Sequence, residues 1–367
     1  MAEKRPKRGG YDYVILIPVM CLVGLGLVFV YSASSNVAQH RMGDSYFFLK
    51  RQGVFCVVGL LAMISARNIP SAAYRKIVYP LVLLSAGLLA ALFIPGVGHT
   101  VGGARRWIRL GGLSFQPSEL AKFSLAVYMA YSMSKKGSDM RSFSKGLAPH
   151  LLVAVVFVLL IGMQPDVGTS VILGCWLLTL LFVGGVNPLH LFLVMLASSP
   201  LLLWAVHHAD YRLNRLRAFI HPWDDPKGVG FQIIHSFLAF GSGGIFGVGP
   251  GNSKQKLFYL PEAHTDFVLS IAGEELGFVG VSVILMLFAL IVFRGIRISL
   301  NAPDLYSSYL ALGLTCLFGF QVLVNVAVVM GLLPTKGLSL PLMSYGGSSL
   351  VFNLLAVGVL LNISART

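Results

Sequence analysis

The segment L-F-Y-L-P-E-A-H-T-D-F, residues 257–267, places Glu262, His264 and Asp266 at alternate positions. Carboxylate and imidazole groups this close can serve as a general base or hold a cation. Thr265 or Asp266 could instead cap the helix that follows, but capping requires neither the histidine nor the glutamate. His264 reads as an orienting neighbour of Asp266 or as a hydrogen-bonded packing residue. Glu274 and Glu275 follow two turns later. At about 100° per residue, Glu274 lies about 80° round a helix from Asp266 and Glu275 lies on the opposite side. In an apolar setting at least one of them needs a cation or a polar cavity.

Cations stand near other candidate carboxylates. In Q-P-S-E-L-A-K, residues 116–122, Pro117 marks a helix entry, and Glu119 and Lys122 share one face three positions apart. They form either a self-contained ion pair or a site in which Lys122 meets a phosphate or a carboxylate from another helix. Gln164, Pro165 and Asp166 form a tight polar link, where Asp166 is a helix cap or a functional group. The segment from Gly331 to Ser349 carries Pro334, Pro341 and several glycines, so it cannot make a regular helix and reads as the wall of a site. Lys336 there would offer a point charge to phosphate oxygens, and Ser344 is a further candidate contact. The run G-S-G-G-I-F-G-V-G-P-G, 241–251, fits neither the phosphate-loop nor the dinucleotide pattern. It reads as close backbone packing, a re-entrant turn, or amides near a ligand.

These residues sit on an unusual chain. Of 367 residues 56% are hydrophobic and 11% charged, with mean hydropathy +0.78, against about 45–50% apolar and about 25% charged in soluble domains. That excludes an ordinary soluble enzyme. Apolar runs near 13–33, 47–65, 77–95, 118–134, 148–163, 168–184, 188–206, 274–294, 306–331 and 345–363 have the length of membrane helices, and no period-two alternation supports a barrel. The expected fold is therefore an all-α polytopic membrane protein of about ten transmembrane helices. One long extracytoplasmic loop, about 207–265, separates spans seven and eight. A cytoplasmic tail over 1–12, a single membrane domain over 13–363 and a cytoplasmic tail over 364–367 complete the organisation. Lys4, Arg5, Lys7 and Arg8 precede the first span, which reads as a signal anchor with the amino terminus inside.

The formal charge of +14 points to anionic lipids or an anionic substrate rather than nucleic acid. Inner loops hold Arg67, Arg75, Lys135 and Lys136 among others, as topology requires. The outer side carries nearly as many cations, among them Arg106, Arg212, Arg215 and Lys336. As a set these suggest a phosphate-bearing ligand. Residues 211–219 mix arginines with Leu213, Leu216 and Phe219 at helical spacing, which predicts an interfacial helix. Cys21, Cys56, Cys175 and Cys316 each lie in apolar runs and read as packing residues rather than disulfides or zinc ligands.

Along the chain occur the R-R-W segment with Q-P-S-E-L-A-K, then Q-P-D-V-G-T, P-E-A-H-T-D-F, G-E-E-L-G-F, and L-P-T-K-G-L-S-L-P-L-M-S-Y-G-G-S-S. Together they resemble the FtsW/RodA group, the SEDS family of bacterial cell-wall polymerases, across nearly the whole chain. Pro-Thr-Lys-Gly-Leu at 334–338 and Phe-Tyr-Leu-Pro-Glu at 258–262 look like the division branch, FtsW, or the related sporulation proteins. The resemblance implies a ten-span peptidoglycan glycosyltransferase of the bacterial inner membrane, at the division septum, with both termini cytoplasmic. It implies joining of lipid II disaccharides into glycan strands, alongside a class B penicillin-binding protein and other divisome membrane proteins. It further implies that Asp266 matches the essential aspartate and that Trp107, Glu119 and Lys122 match positions of an outward cavity.

Lipid II is a polyprenyl diphosphate, so its polymerase must bind the tail in lipid, hold the diphosphate at the headgroups and orient two sugars. Arg106, Lys122, Arg212, Arg215 and Lys336 are candidates to stabilise the leaving diphosphate. Asp266 is the candidate base that takes the acceptor hydroxyl proton, or a ligand for Mg²⁺ or another divalent cation. Glu262, Asp166 and Ser344 complete the candidate binding set. The rival readings are a lipid II flippase, for which polar sites at midplane and an internal repeat would be expected, and a non-catalytic divisome scaffold.

Overall fold

The computed structural model describes residues 10–101, 104–110, 113–207, 210–257 and 260–366. The basic residues at 4–8, Phe258 and Tyr259 lie outside the described residues.

Long apolar runs become helices because a backbone in hydrocarbon must satisfy its own hydrogen bonds. The chain runs through α1 (Tyr13–Met42), α2 (Phe47–Asn68), a short α3 (Ser71–Lys76) and α4 (Val78–Ala91). Three strands follow: β1 (Gly98–Val101), β2 (Ala104–Leu110) and β3 (Leu113–Phe115). Then come α5 (Pro117–Lys136), α6 (Ala148–Gly162), α7 (Val167–Val183), α8 (Pro188–His207), α9 (Asp210–Ile220) and α10 (Phe231–Gly243). The last three are α11 (Val268–Leu300), α12 (Leu305–Val329) and α13 (Gly347–Ser364).

The ten apolar segments read from the sequence each coincide with a helix. Among the described residues, six helices are long and apolar enough to cross a membrane, and α4, α7 and part of α8 are shorter apolar helices. Large apolar side chains face outward, with Leu83 72%, Leu300 78% and Phe246 81% exposed, as a lipid-facing surface requires and a water-facing one does not. The helix expected over 211–219 is α9. The four cysteines are free.

Three features depart from the expectation. First, α1 continues to Met42 rather than ending near 33, because no breaker intervenes until Gly43. That residue takes φ 71° and donates its N–H to the Gln39 carbonyl at 3.1 Å. Second, residues 98–115 form an antiparallel sheet of order β1-β2-β3, pairing His99 with Trp107 and Arg109 with Ser114. Gly-Gly pairs at 102–103 and 111–112 separate the strands in sequence, and period-two structure is therefore present locally.

Third, α11 starts at Val268 rather than 274 and is broken at Gly277 (φ 67°, ψ −167°). The glycine-rich run fills this break. Val248 and Gly249 donate to the Glu274 and Glu275 carbonyls at 2.9 and 3.1 Å, while Phe278 and Val279 donate to the Gly244 and Ile245 carbonyls at 2.9 and 3.1 Å. These four bonds replace the ladder that the break removes, so the run packs by backbone, as one of its three sequence readings held.

Glu274 and Glu275 hold the same join. Glu274 accepts from the Lys254 and Gln255 amides at 3.0 and 3.2 Å and from the Ser253 hydroxyl. Glu275 accepts from Ser32 at 2.7 Å and pairs with Lys256 at 3.0 Å. Both buried carboxylates are thus paid for locally, one by amides and a hydroxyl and the other by a cation.

Candidate functional site

Asp266 lies two residues before α11, and the cap position is Phe267, which makes no side-chain cap bond. The capping reading of Asp266 therefore fails. A turn built on Glu262 delivers it: the Glu262 carbonyl accepts from the Thr265 and Asp266 amides, each at 3.1 Å, and Glu262 Oε2 accepts from the Thr265 hydroxyl at 3.1 Å. Glu262 adopts φ 54°, a left-handed conformation that is strained for a residue with a side chain. Among the described residues nothing donates a hydrogen bond to the half-buried Asp266 carboxylate. Burial and the Glu262 charge push its pKa up to about 7 against the pull of Arg215 and Arg106. A base poised there can accept a proton at neutral pH.

Lys336 faces the same region from the 331–346 segment. Its Nζ is buried and has no hydrogen-bond partner among the described residues. Burial pulls its pKa down to about 8, against the stabilising charge of Asp166, while Arg106, Lys122 and Arg215 push the same way as burial. The lysine stem lies across Gly168, where any side chain would collide with it. The next residue, Gly337, brings backbone so close to Asp266 that an added Cβ would sit 3.0 Å from Oδ2.

Arg106 and Asp166 complete this group. Arg106 Nε donates to the Gln164 carbonyl at 3.2 Å, its Nη2 donates to the Pro165 carbonyl, and its Nη1 stands 3.8 Å from Asp166 Oδ2. Asp166 also caps α7, accepting from the Thr169 amide at 3.2 Å and hydroxyl at 2.9 Å, so its cap and charge roles coexist. Arg215 reaches the Thr335 carbonyl at 3.5 Å. Asp266, Lys336, Arg106, Arg215, Asp166 and Glu262 are thereby brought together.

The other candidates stand apart from that cluster or are engaged elsewhere. Glu119 and Lys122 form a buried i,i+3 pair at 2.7 Å, the self-contained arrangement, although the Lys122 charge is felt at Lys336. Their pair borders a cavity of about 30 Å³, also lined by Gln321 and Asn353, large enough for a water or two. Trp107 follows Arg106 on β2, and the pleat directs the two side chains to opposite faces of the sheet. Arg212 donates to the Tyr211 hydroxyl at 2.8 Å. The Ser344 hydroxyl accepts from the Leu340 amide at 2.8 Å and thereby shapes its own loop. His264 packs its ring 4.6 Å from Phe48 and 5.8 Å from Tyr345, and burial holds its pKa below the usual imidazole range. Its neutral ring is a packing element here. Among the described residues no three His, Cys, Asp or Glu side chains converge as a metal cage.

Comparison with known proteins decides the lineage of this arrangement. The model of the FtsW/RodA/SpoVE family, described as cell cycle protein, matches residues 13–367. The chain belongs to that family. Among similar relatives, the probable peptidoglycan glycosyltransferase FtsW of Geobacter sulfurreducens is 48% identical over 356 residues, covering 97% of this chain and 95% of its own. The stage V sporulation protein E of Bacillus subtilis is 42% identical, covering 98% of each chain. A chain solved in work on structural coordination of polymerization and crosslinking by a peptidoglycan synthase complex superposes with TM-score 0.79 at 32% identity, covering 97% of this chain and 98% of its own. The rod shape determining protein RodA of Thermus thermophilus superposes with TM-score 0.72 at 30% identity, each chain covered to 97%.

One polar residue at the centre of this FtsW/RodA/SpoVE member escaped the sequence reading. Asn325, near the end of α12, donates through Nδ2 to the Asp266 carbonyl at 2.9 Å and the Leu338 carbonyl at 2.6 Å. The available signal was an amide side chain within the valine-rich last turns of α12, where polar groups commonly bridge elements.

Proposed function

We propose that this chain is a peptidoglycan glycosyltransferase that polymerises lipid II into glycan strands, with Asp266 as its base. The observation that carries the reading is a carboxylate that accepts no hydrogen bond among the described residues, within the field of Arg106 and Arg215 and against the segment that carries the buried Lys336 ammonium. Two uncommitted, opposite charges at one place serve a substrate that both donates a proton and releases an anion.

In the reaction an acceptor sugar hydroxyl gives its proton to Asp266 Oδ as its oxygen bonds to the donor anomeric carbon. The bond from that carbon to the diphosphate oxygen breaks, inverting the centre. Glycoside hydrolysis needs a second carboxylic acid to protonate the leaving oxygen, but diphosphate departs as a stable anion and needs cations. Lys336, Arg106 and Arg215 supply them, and their value is highest where water is scarce. Asp266 and Glu262 would also suit a Mg²⁺ shared with the diphosphate, since Mg²⁺ takes one or two carboxylates plus phosphate oxygens. Bound there, the ion would neutralise leaving-group charge.

In this reading the helices of the ten apolar segments cross the bacterial inner membrane with both termini in the cytoplasm, and the site opens outward at the septum. The 207–265 segment forms the outer loop. A class B penicillin-binding protein would crosslink the strands, as the resemblance to a peptidoglycan synthase complex supports. A flippase is less well supported, because the uncommitted charges gather at one end of α11 rather than at midplane. A scaffold would have no use for them.

Purified protein mixed with lipid II, with and without chelator, tests this. Glycan strands should form with the native chain and not with Asp266→Asn, although that variant folds normally. Lipid II moved across vesicles without polymer would instead identify a flippase. Loss of polymer in chelator, restored by Mg²⁺, would assign Asp266 to the ion.

A further inference from the structure

Asp266 and Lys336 are carried by different segments, and neither segment is regular. The turn 260–267 precedes α11, and the 331–346 segment follows α12. Two side chains on separate irregular segments would drift relative to each other unless something fixed the segments together. Catalysis is sensitive to that drift, because a displacement of about 1 Å can cost about 100-fold.

At their far ends the segments are joined by the Tyr345 amide, which donates to the His264 carbonyl at 2.9 Å; next to Asp266 and Lys336, Asn325 makes the connection. It lies one turn before the end of α12, is 1% exposed, and its single amide nitrogen donates to one carbonyl from each segment. Both partners are carbonyl oxygens, which fixes the amide orientation: only the NH₂ group can face them. Its Oδ1 is buried with no partner among the described residues. An acceptor left unpaired costs stability, so the residue is not explained as a self-satisfied packing group. Its donors are what the fold uses.

The bonded residues adjoin the reacting groups directly. One acceptor is the Asp266 main chain itself. The other is Leu338, whose amide closes a tight turn onto the Lys336 carbonyl at 3.0 Å. Between Lys336 and Leu338, Gly337 rests against the Asp266 carboxylate. From Asp266 through Asn325 to Leu338 and back to Lys336, only one turn and one side chain intervene.

We infer that Asn325 is a positioning residue that sets the separation between the Asp266 carboxylate and the Lys336 ammonium during glycosyl transfer. It touches no substrate and acts through the two backbones it joins. The inference rests on the polymerase reading of the same site and names the element that gives that site its geometry.

The test compares Asn325→Leu, which keeps the branched skeleton and removes both donors, and Asn325→Asp, which keeps the shape and sets an acceptor against two carbonyls. Asp266→Asn runs alongside in the lipid II polymerisation assay. Asn325→Leu should lower kcat about 10- to 100-fold, with KM for lipid II within about threefold, in protein that remains monodisperse and melts cooperatively. Asn325→Asp should lose more, and Asn325→Gln, with an NH₂ group on a longer stem, should recover part of the activity. Native kcat in Asn325→Leu, with Asp266→Asn inactive, would overturn the positioning role alone. A fall in activity that matches the loss of folded protein, with unchanged kcat per folded molecule, would overturn it too. Polymer formation by Asp266→Asn would sink the polymerase reading of the site and this inference with it.

Discussion

At the Arg294 end of α11 two carboxylates, Asp12 and Asp304, are matched within the protein. Asp12 Oδ2 accepts from Arg294 Nε at 2.8 Å and from the Ser364 hydroxyl at 2.6 Å, joining the start of α1 to the ends of α11 and α13. Asp304 pairs with Arg75 while capping α12 through the Ser307 amide at 3.0 Å. At the Asp266 end, roughly 40 Å away at 1.5 Å per residue, a carboxylate and a buried ammonium have no hydrogen-bond partners among the described residues. The same residue types occur at both ends, so composition cannot tell them apart. What differs is whether the fold itself satisfies the charge. A satisfied carboxylate ties helices together; an unsatisfied one costs folding energy and is free to act on something the protein binds.

That contrast can be broken by substitution. Lys336→Ala should reduce polymerisation about 100-fold through lost stabilisation of the leaving diphosphate, while Lys336→Arg should recover part of it. The melting temperature of Lys336→Ala in detergent should stay level or rise, because the variant removes a buried, unpaired cation. Equal activity of the native protein and both variants would make the lysine structural. Asp12→Ala should do the opposite. It should cost about 1–3 kcal/mol of stability by leaving Arg294 and Ser364 without their acceptor, with kcat per folded molecule within about twofold. A large fall in kcat for Asp12→Ala at full folding would erase the distinction between the two ends.

Much of the architecture was legible because long apolar runs in lipid have only one backbone solution. Positions 98–115 were not, since Arg105, Arg106 and Arg109 occupy both faces of β2 and hide the alternation that would announce a strand. That is also why Trp107 and Arg106 read as neighbours in sequence yet project to opposite faces. The apolar run near 274–294 begins later than α11, which reaches back to Val268 because Ser253, Lys254, Gln255, Lys256 and Ser32 satisfy Glu274 and Glu275 and let the helix run through them. The i,i+3 pair Glu119–Lys122 and the cap at Asp166 were visible from spacing alone. The approach of Lys336 and Arg106 to Asp266 was not, because it depends on segments more than 50 residues apart in sequence. Asn325 shows the same limit: an amide among valines marks a polar bridge, but nothing local tells which two distant carbonyls it joins.

The account turns on Asp266 acting as carboxylate while Lys336 acts as ammonium, and the pH dependence of kcat/KM for lipid II tests both together. With Asp266 raised to about 7 and Lys336 lowered to about 8, the rate should climb as the carboxyl loses its proton near pH 7 and fall as the ammonium loses its own near pH 8. Lys336→Ala should keep the acid limb and lose the alkaline one. An acid limb at the ordinary carboxylate value near 4, or an alkaline limb unchanged in Lys336→Ala, would contradict the account.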